Sequence, residues 1–351
     1  MSHRRPAIAV PARNEEKRLP RLIAALGSQD WLHGGWRLPV VIVLNNCTDN
    51  SREAVLATAA HFPQLDIELF DLTLPPAESH VGWARRIAMD AALLKRCEVI
   101  LTTDADAEPR PSWVSANLAA VAGGADIVGG RLIGDPDEER RHGKAFLRRA
   151  ALVARHQQLA DRLASLIDPL PYDPWPRHVH HTGGSLAIRA DLYRHLGGLP
   201  PLACREDLAL VSRARAAGAR LRHAPDAEVV VSARLAGRTG NGMAECISGW
   251  IEDERCRRPI LVEDPERAAA RFRLRRELRE LATPDGRWRN PHAPERLSLL
   301  SMAGGPIMER PLSLIERIAG DEPDAPCTRP IAEAIAQLEE LVRDAERSHA
   351  A

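Results

Sequence analysis

The chain has 351 residues, 44% hydrophobic and 27% charged, which fits one large α/β domain with or without an appendage and excludes a disordered or fibrous chain. Lys+Arg and Asp+Glu stand at 48 each, so no global basic field exists and composition lends no support to nucleic-acid binding. The longest apolar stretches, such as Val40–Leu44, are strand-sized and fall far short of the ~20 residues of a membrane span.

No apolar signal-peptide core follows Met1-Ser2-His3-Arg4-Arg5-Pro6. Ala7–Val10 is a short apolar run closed by Pro11. Glu15–Leu26 carries Leu19, Leu22, Ile23 and Leu26 at a helical period. Val40–Leu44 is a β-rich run without alternation, the pattern of a strand buried on both faces. Ser51–Ala60 reads as a helix with Asp49, Asn50 or Ser51 as its cap. Leu65–Phe70 alternates as a third strand, Trp83–Leu94 is helical, and Val99–Leu101, extended to Thr103, is a fourth strand. Ser112–Val121 is a helix and Asp126–Leu132 a strand.

From Glu138 to Ile167 the chain is helical and arginine-rich, and prolines 169, 171, 174 and 176 then hold Asp168–Arg177 as a loop. Gly184–Arg189 is a strand, Asp191–Leu196 a short helix ending at Gly197-Gly198, Arg205–Ala217 a helix ending at Gly218, and Glu228–Ser232 the last strand. Beyond about Arg238 the strand signals stop. Leu274, Leu278 and Leu281 share one helix face and Ile331, Ile335, Leu338 and Leu341 another. This helical tail offers its stripes to the core or to a second copy of the chain, a homodimer through the C-terminal helices.

Repeated β-α-β units predict an α/β fold: a mainly parallel, Rossmann-like sheet with helices on both faces. Ligands bind such sheets at the carboxyl ends of the strands, so chemistry is sought in the loops near Pro11, Asn45 and Thr103. Asp104-Ala105-Asp106 ends the fourth strand, and its two carboxylates can reach one hard divalent cation, Mg²⁺ or Mn²⁺. An acidic pair can also merely solvate a loop; the apolar strand before it and Pro109 and Pro111 after it favour the metal. Pro11-Ala12-Arg13-Asn14-Glu15-Glu16 starts a helix whose N–H groups suit an anion, with Arg13 at a phosphate and Asn14 as an alternative N-cap.

Asn45-Asn46-Cys47-Thr48-Asp49-Asn50-Ser51 offers donors and acceptors for a base edge or ribose, or forms a plain turn. Gly82-Trp83-Ala84-Arg85-Arg86 opens a helix with arginines for a diphosphate, or shows a surface arginine pair. Glu206-Asp207 opens another helix, where a carboxylate can take a proton from an acceptor hydroxyl. His181-Thr182-Gly183-Gly184-Ser185 lets backbone approach a ligand. His178, His180 and His181 lack zinc partners at a recognised spacing and read as loop histidines.

The cysteines at 47, 97, 204, 246, 256 and 327 form no C-x-x-C pair, and reduced thiols in a cytoplasmic enzyme are expected. Lys17, Lys95 and Lys144 are the only lysines, so the other cations are arginines, whose fork geometry suits phosphates.

Pro11-x-x-Asn14-Glu15, Asn45 to Ser51, Gly82 to Arg86, Asp104-x-Asp106, Gly183-Gly184-Ser185 and Glu206-Asp207, in that order, resemble the family 2 glycosyltransferases of the GT-A fold over roughly residues 6 to 235. The resemblance implies a GT-A catalytic domain over 1–237, with a nucleotide-sugar half at 1–133 and an acceptor half at 134–237, followed by a mostly helical extension at 238–351. It implies a UDP- or GDP-sugar donor held by Pro11, Ala12, Arg13, Glu15, Asn45, Asn46, Asp49, Gly82, Arg85, Asp104, Ala105 and Asp106. The cation would sit on Asp104 and Asp106. An unidentified acceptor would meet Gly183, Gly184, Ser185 and Glu206, with Asp207 as the base of an inverting transfer.

Asparagine stands at 45 and 46 where many members carry aspartate. No Q-x-x-R-W motif is present, which favours single addition over polymer synthesis. Ser232 to Arg238 contains no histidine to act as a third metal ligand, leaving Arg234 or Arg238 to meet the diphosphate, or a weaker cation site. Four other readings remain. A retaining transferase on a small phosphorylated acceptor is one. A sugar-phosphate nucleotidyltransferase would need a glycine-rich loop after strand one, and an NAD-dependent dehydrogenase would need G-x-G-x-x-G there; neither is found. An inactive scaffold is disfavoured by intact Asp104, Asp106 and Asp207.

Overall fold

Seven consecutive buried positions make β1 (Pro6–Ala12) the centre of the fold. In this computed structural model residues 4–235, 237, 243–283, 287–290, 292, 310–318 and 328–350 are described; Arg238 and Cys327 lie outside them. β1 pairs in parallel with β2 (Leu38–Asn45) and β4 (Val99–Thr102), and β2 pairs in parallel with β3 (Leu65–Leu72). The even side chains Ile8, Val10 and Ala12 enter a cluster with Leu22 and Ile23 of α1 (Leu19–Gly27), Val55 of α2 (Ser51–Ala59) and Trp113 of α4 (Trp113–Ala122). By the two-residue period of a strand, Ala7 and Ala9 face the other way, where α3 (Val81–Leu94) packs on β1 and β2. Helices therefore cover both faces, and small residues stand beneath the closer one.

The full order is β3-β2-β1-β4-β7-β6-β8-β5, with β5 (Ala107–Pro109), β6 (Ile127–Gly134), β7 (Leu186–Arg189) and β8 (Leu221–Val231). Six of these eight strands run one way; β7 runs against β4 and β6, and β5 against β8. Residues 103–106 thus connect strands four places apart. At ~4.8 Å per strand a flat sheet would separate them by roughly 19 Å, more than five extended residue steps of ~3.5 Å supply. The sheet must curl, and a turn closed by Ala107 N–H on the Asp104 carbonyl (3.2 Å) returns the chain to the far edge.

Several expected boundaries shift. The first helix begins at Leu19 instead of Glu15, because Asn14 adopts a left-handed φ of 55° and Glu16 to Arg18 form turns before Pro20 enters the first helical turn. Asn14 is consequently no N-cap. The arginine-rich run divides into α5 (Pro136–Arg141) and α6 (Gly143–Ile167) at His142, and Gly143 opens α6 with a φ of 90° that no helix interior holds. The last strand starts at Leu221, seven residues early, and its register on β6 jumps between Gly130 and Arg131 around Pro225. β5 goes unpredicted because three residues carry no period.

The described residues form two compact units: 1–149, 178–211 and 221–257; and 150–177, 212–220 and 258–351. The first holds the sheet, α7 (Ala190–His195), the start of α8 (Glu206–Ala216) and α9 (Met243–Arg255). In the second, Leu338 and Val342 of α12 (Ile331–Ala350) pack with Leu159 and Leu163 of α6 and Phe272 of α10 (Pro265–Glu280). Leu278 joins Leu314 and Ile315 of α11 (Pro311–Ile318). The apolar stripes of the tail are thereby covered by the chain itself. A two-residue antiparallel pair, β9 (Leu261–Val262) with β10 (Arg329–Pro330), stands where no strand is expected.

Candidate active site

The carboxyl ends of β1, β2 and β4 lie side by side, since Ala12 pairs with Leu44 and Ala9 with Thr102. That places the Arg13–Glu15, Asn45 and Asp104–Asp106 segments on one rim. Two arginines organise the rim, and sequence reasoning assigned neither its observed partners.

Arg85, on α3, is 3% exposed. Its Nε donates to Glu206 Oε1 at 2.9 Å, Nη1 to Thr102 Oγ1 at 2.9 Å and to the Gly183 carbonyl at 3.0 Å, and Nη2 to Asp104 Oδ1 at 2.6 Å. Four of its five N–H groups thus meet protein acceptors. Burial works against the charge, but the carboxylates of Asp104, Glu206 and Asp207 outweigh it and hold the guanidinium proton more tightly than usual. Expected at the diphosphate, Arg85 is instead the internal strut of Asp104. Burial pushes the Glu206 carboxyl up, against the pull of Arg85; Glu206 lies against this strut and not on a free surface.

Arg234 follows β8. Its Nη1 donates to Glu15 Oε2 at 2.8 Å, and its Nη2 meets both Glu15 Oε1 and, at 3.0 Å, Asp106 Oδ2. The register explains the meeting: Ala107 of β5 pairs with Val231 of β8, so Asp106 stands beside the residues after Val231. Glu138 secures that segment by accepting from Ser232 Oγ at 2.9 Å and from Ala233 N–H at 2.8 Å while Arg18 Nη2 reaches it at 2.6 Å. Burial opposes ionisation of Glu138, but these bonds prevail and hold its carboxyl below the usual range. Burial first, then the charge of Asp104, push the Asp106 carboxyl up to about 6, against Arg234.

Asp207 Oδ2 accepts the Gly183 N–H at 2.5 Å and Oδ1 accepts the Leu208 N–H at 2.8 Å. Because the Gly183 carbonyl also accepts from Arg85 Nη1, one glycine links Asp207 to Asp104. Any Cβ on Gly183 would lie 2.5 Å from the Arg85 guanidinium. Arg205, just before Glu206, carries a left-handed φ of 59°, a strained backbone state at the mouth of the site.

The remaining expected residues divide. Asn45 is 2% exposed; its Nδ2 donates to the His80 carbonyl at 3.2 Å, and its buried Oδ1 has no hydrogen-bond partner among the described residues. Asn46 holds the backbone of Leu74 from both ends of its amide. Asp49 accepts from Glu16 N–H and from Ser51, and Asn14 Oδ1 accepts from Thr48 N–H at 2.8 Å; these side chains build the loop. Arg13 is exposed and donates to the Ser79 carbonyl. Pro11, Ala12 and Ala105 are buried. Gly82 is required by packing, since a Cβ there would meet the Leu202 carbonyl at 2.0 Å. Gly184 passes close to Asp104 Oδ2. Ser185 is fully buried, its hydroxyl accepting Trp113 Nε1–H at 2.8 Å. The loop histidines hydrogen-bond backbone and one another: His180 Nδ1 accepts the Leu132 N–H, and His181 meets His223 at 3.1 Å. Burial and the charges of His223 and Arg131 press His180 down to about 4.

A hard divalent cation fits the donor set. Asp104 Oδ2 and Asp106 Oδ1 remain beyond the arginines, both carboxylates are part-exposed, and Glu15, Asp104, Asp106, Glu206 and Asp207 outnumber Arg85 and Arg234, leaving the cluster net negative. Among the described residues no group of three His, Cys, Asp or Glu side chains is placed to hold a metal, so further ligands would be water or substrate oxygens.

Residues 7–195 match the profile of glycosyl transferase family 2. Comparison with curated proteins returns no match. Among solved structures, a mannosyltransferase from Pyrobaculum calidifontis in complex with GDP-Man and Mn²⁺ is 16% identical, covers 99% of this chain and 76% of its own, and has a TM-score of 0.49. TarS of S. aureus in complex with UDP is 16% identical over 97% and 91% of the chains, at 0.49. Glucosyl-3-phosphoglycerate synthase of M. tuberculosis is 17% identical over 73% and 81%, at 0.39. Among the described residues no helix is long and apolar enough to cross a membrane.

Proposed function

This chain belongs to glycosyl transferase family 2 and is a glycosyltransferase; from that premise we propose that it moves a sugar from a UDP- or GDP-linked donor to an acceptor hydroxyl by single, inverting, metal-dependent transfer. The reading rests above all on the Asp104/Asp106 pair. Each carboxylate is pinned by a guanidinium through one oxygen and keeps the other for a ligand.

Asp104 and Asp106 would hold the cation, Mg²⁺ or Mn²⁺, which when bound supplies charge neutralisation to the departing diphosphate. Asn45 is 2% exposed, and its orphaned Oδ1 supports a base that presents an N–H donor to it. A buried acceptor left unmet costs about 1–3 kcal/mol, so such a base gains affinity by meeting it. Arg13, at the open end of β1, contributes a further cation toward phosphate. Asp207 takes the acceptor proton as the acceptor oxygen attacks the anomeric carbon and the nucleoside diphosphate leaves. The two backbone N–H groups on Asp207 hold its oxygens in place. The Gly183-Gly184 backbone lines the acceptor side, within a catalytic domain taken as residues 1–237 with 238–351 as an extension.

The test is release of nucleoside diphosphate from a panel of nucleotide sugars, with Mn²⁺ or Mg²⁺ and with chelator. Asp106→Ala should abolish release, and Asp207→Asn should cut transfer by roughly 10²-fold or more with donor affinity retained. Transfer that survives in Asp207→Asn removes Asp207 as the base. Absence of any thermal shift with UDP or GDP plus Mn²⁺ rejects the donor reading altogether.

A further inference from the structure

Arg234 stands where a cation-binding site would least tolerate a cation. Its guanidinium grips both oxygens of buried Glu15 and, with the same Nη2, Asp106 Oδ2 at 3.0 Å. The grip is prepared by the fold: Glu138 fixes Ser232 and Ala233, the Arg234 N–H donates to Ser232 Oγ at 3.3 Å, and the β5–β8 register sets Asp106 opposite. The two anchors differ. Glu15 takes a bidentate, charge-assisted pair, the strong geometry for arginine. Asp106 takes a single contact, from Nη2 alone.

We propose that Arg234 is the built-in counter-ion of Asp106, released to the donor's diphosphate when the donor binds, so that cation and diphosphate bind as a coupled pair. Without donor, the guanidinium opposes a divalent ion at Asp106 by direct repulsion and by occupying Oδ2. A diphosphate offers Nη2 an alternative acceptor while Glu15 keeps the fork in place. Asp106 then faces the cation with both oxygens. The coupling is reciprocal, as linkage requires: whatever the diphosphate does for cation affinity, the cation does for diphosphate affinity. This inference rests on the donor reading above for its diphosphate half and on the ion pairs alone for its cation half.

The experiment is calorimetric titration of the full chain with Mn²⁺ alone, with UDP or GDP alone, and with Mn²⁺ at saturating nucleotide, for wild type, Arg234→Gln and Arg234→Lys. Circular dichroism and melting temperature verify folding. In Arg234→Gln, Mn²⁺ alone should bind about tenfold tighter, nucleotide alone about tenfold weaker, and the enhancement of each by the other should shrink by a similar factor. Arg234→Lys, which keeps the charge and loses the fork, should fall between the two and remains the readout if the glutamine variant does not fold. A purely structural arginine would weaken both ligands together. Mn²⁺ affinity unchanged or weaker in folded variants overturns the proposal. Wild type that binds Mn²⁺ but neither nucleotide overturns the donor reading and the diphosphate half with it, and the Mn²⁺ arm then judges the counter-ion alone.

Discussion

At the scale of single residues, Gly183 has the tightest constraint in the candidate site. Its N–H serves Asp207, its carbonyl serves Arg85, and a methyl group on its Cα would press on the guanidinium. Gly183→Ala should therefore cost about 1–3 kcal/mol of stability through overpacking, read by denaturant unfolding, and it should lower transfer more than stability because Arg85 carries the displacement to Asp104. An unchanged unfolding midpoint would show that the guanidinium yields freely. The residues proposed to carry the chemistry can be picked out in the sequence, because Asp104 and Asp106 flank a small residue at the end of an apolar run and Asp207 opens a helix. Burial is not legible. Nothing in Gly82 to Arg86 distinguishes a solvated arginine from one enclosed by Thr102, Asp104, Gly183 and Glu206, since the enclosing residues come from three separate places in the chain. Ser185 is the same case, a hydroxyl hidden under Trp113. Arg234 is legible as a candidate for the diphosphate, but its pairing with Glu15 and Asp106 is not.

At the scale of elements, the long buried strands and the helices with a clean period are visible from composition alone, as β1, β2, β4 and α3 show. Short or interrupted elements are not. β5 has three residues, β8 is masked at its start by Pro225, and the break between α5 and α6 is a single residue, His142, in a run that otherwise reads as one helix. α5 nevertheless matters to the site. Its N-cap, Asp135, accepts from the N–H groups of Asp137 and Glu138, and Glu138 in turn holds the segment bearing Arg234. Asp135→Ala should lose about 0.5–2 kcal/mol with the cap. It should also loosen Arg234, so that Mn²⁺ affinity moves in the direction expected for Arg234→Gln but by less. Calorimetry that finds the cap lost and Mn²⁺ binding unmoved would disconnect α5 from the rim.

At the scale of the whole molecule, equal numbers of acidic and basic residues leave function to local arrangement, and the organising cations of the site are fixed arginines. All side chains of the candidate site belong to the first unit, and the second is built around its own apolar clusters and ion pairs, such as Arg162 with Glu346 at 2.7 Å. Leu338 is 1% exposed there. Leu338→Ala should cost about 2–5 kcal/mol by thermal or denaturant unfolding, yet leave UDP or GDP affinity of the folded protein within about twofold, the scatter expected of sites with no shared partners. A larger loss of nucleotide affinity would assign the second unit a share in the donor site.

The curl of the sheet has one more consequence. Asp104 is moored through Arg85 near the middle of the sheet, and Asp106 is moored through Arg234 at its rolled edge. The opening between their free oxygens is therefore a caliper whose jaws are mounted on different strands. How wide it stands is set by how far β8 and β5 have rolled toward β4. Packing beneath the roll, where Ala224, Ala227 and Val229 share one cluster with Trp113, would then have a hand in the ionic radius accepted by the cation site proposed above, although none of those residues belongs to it.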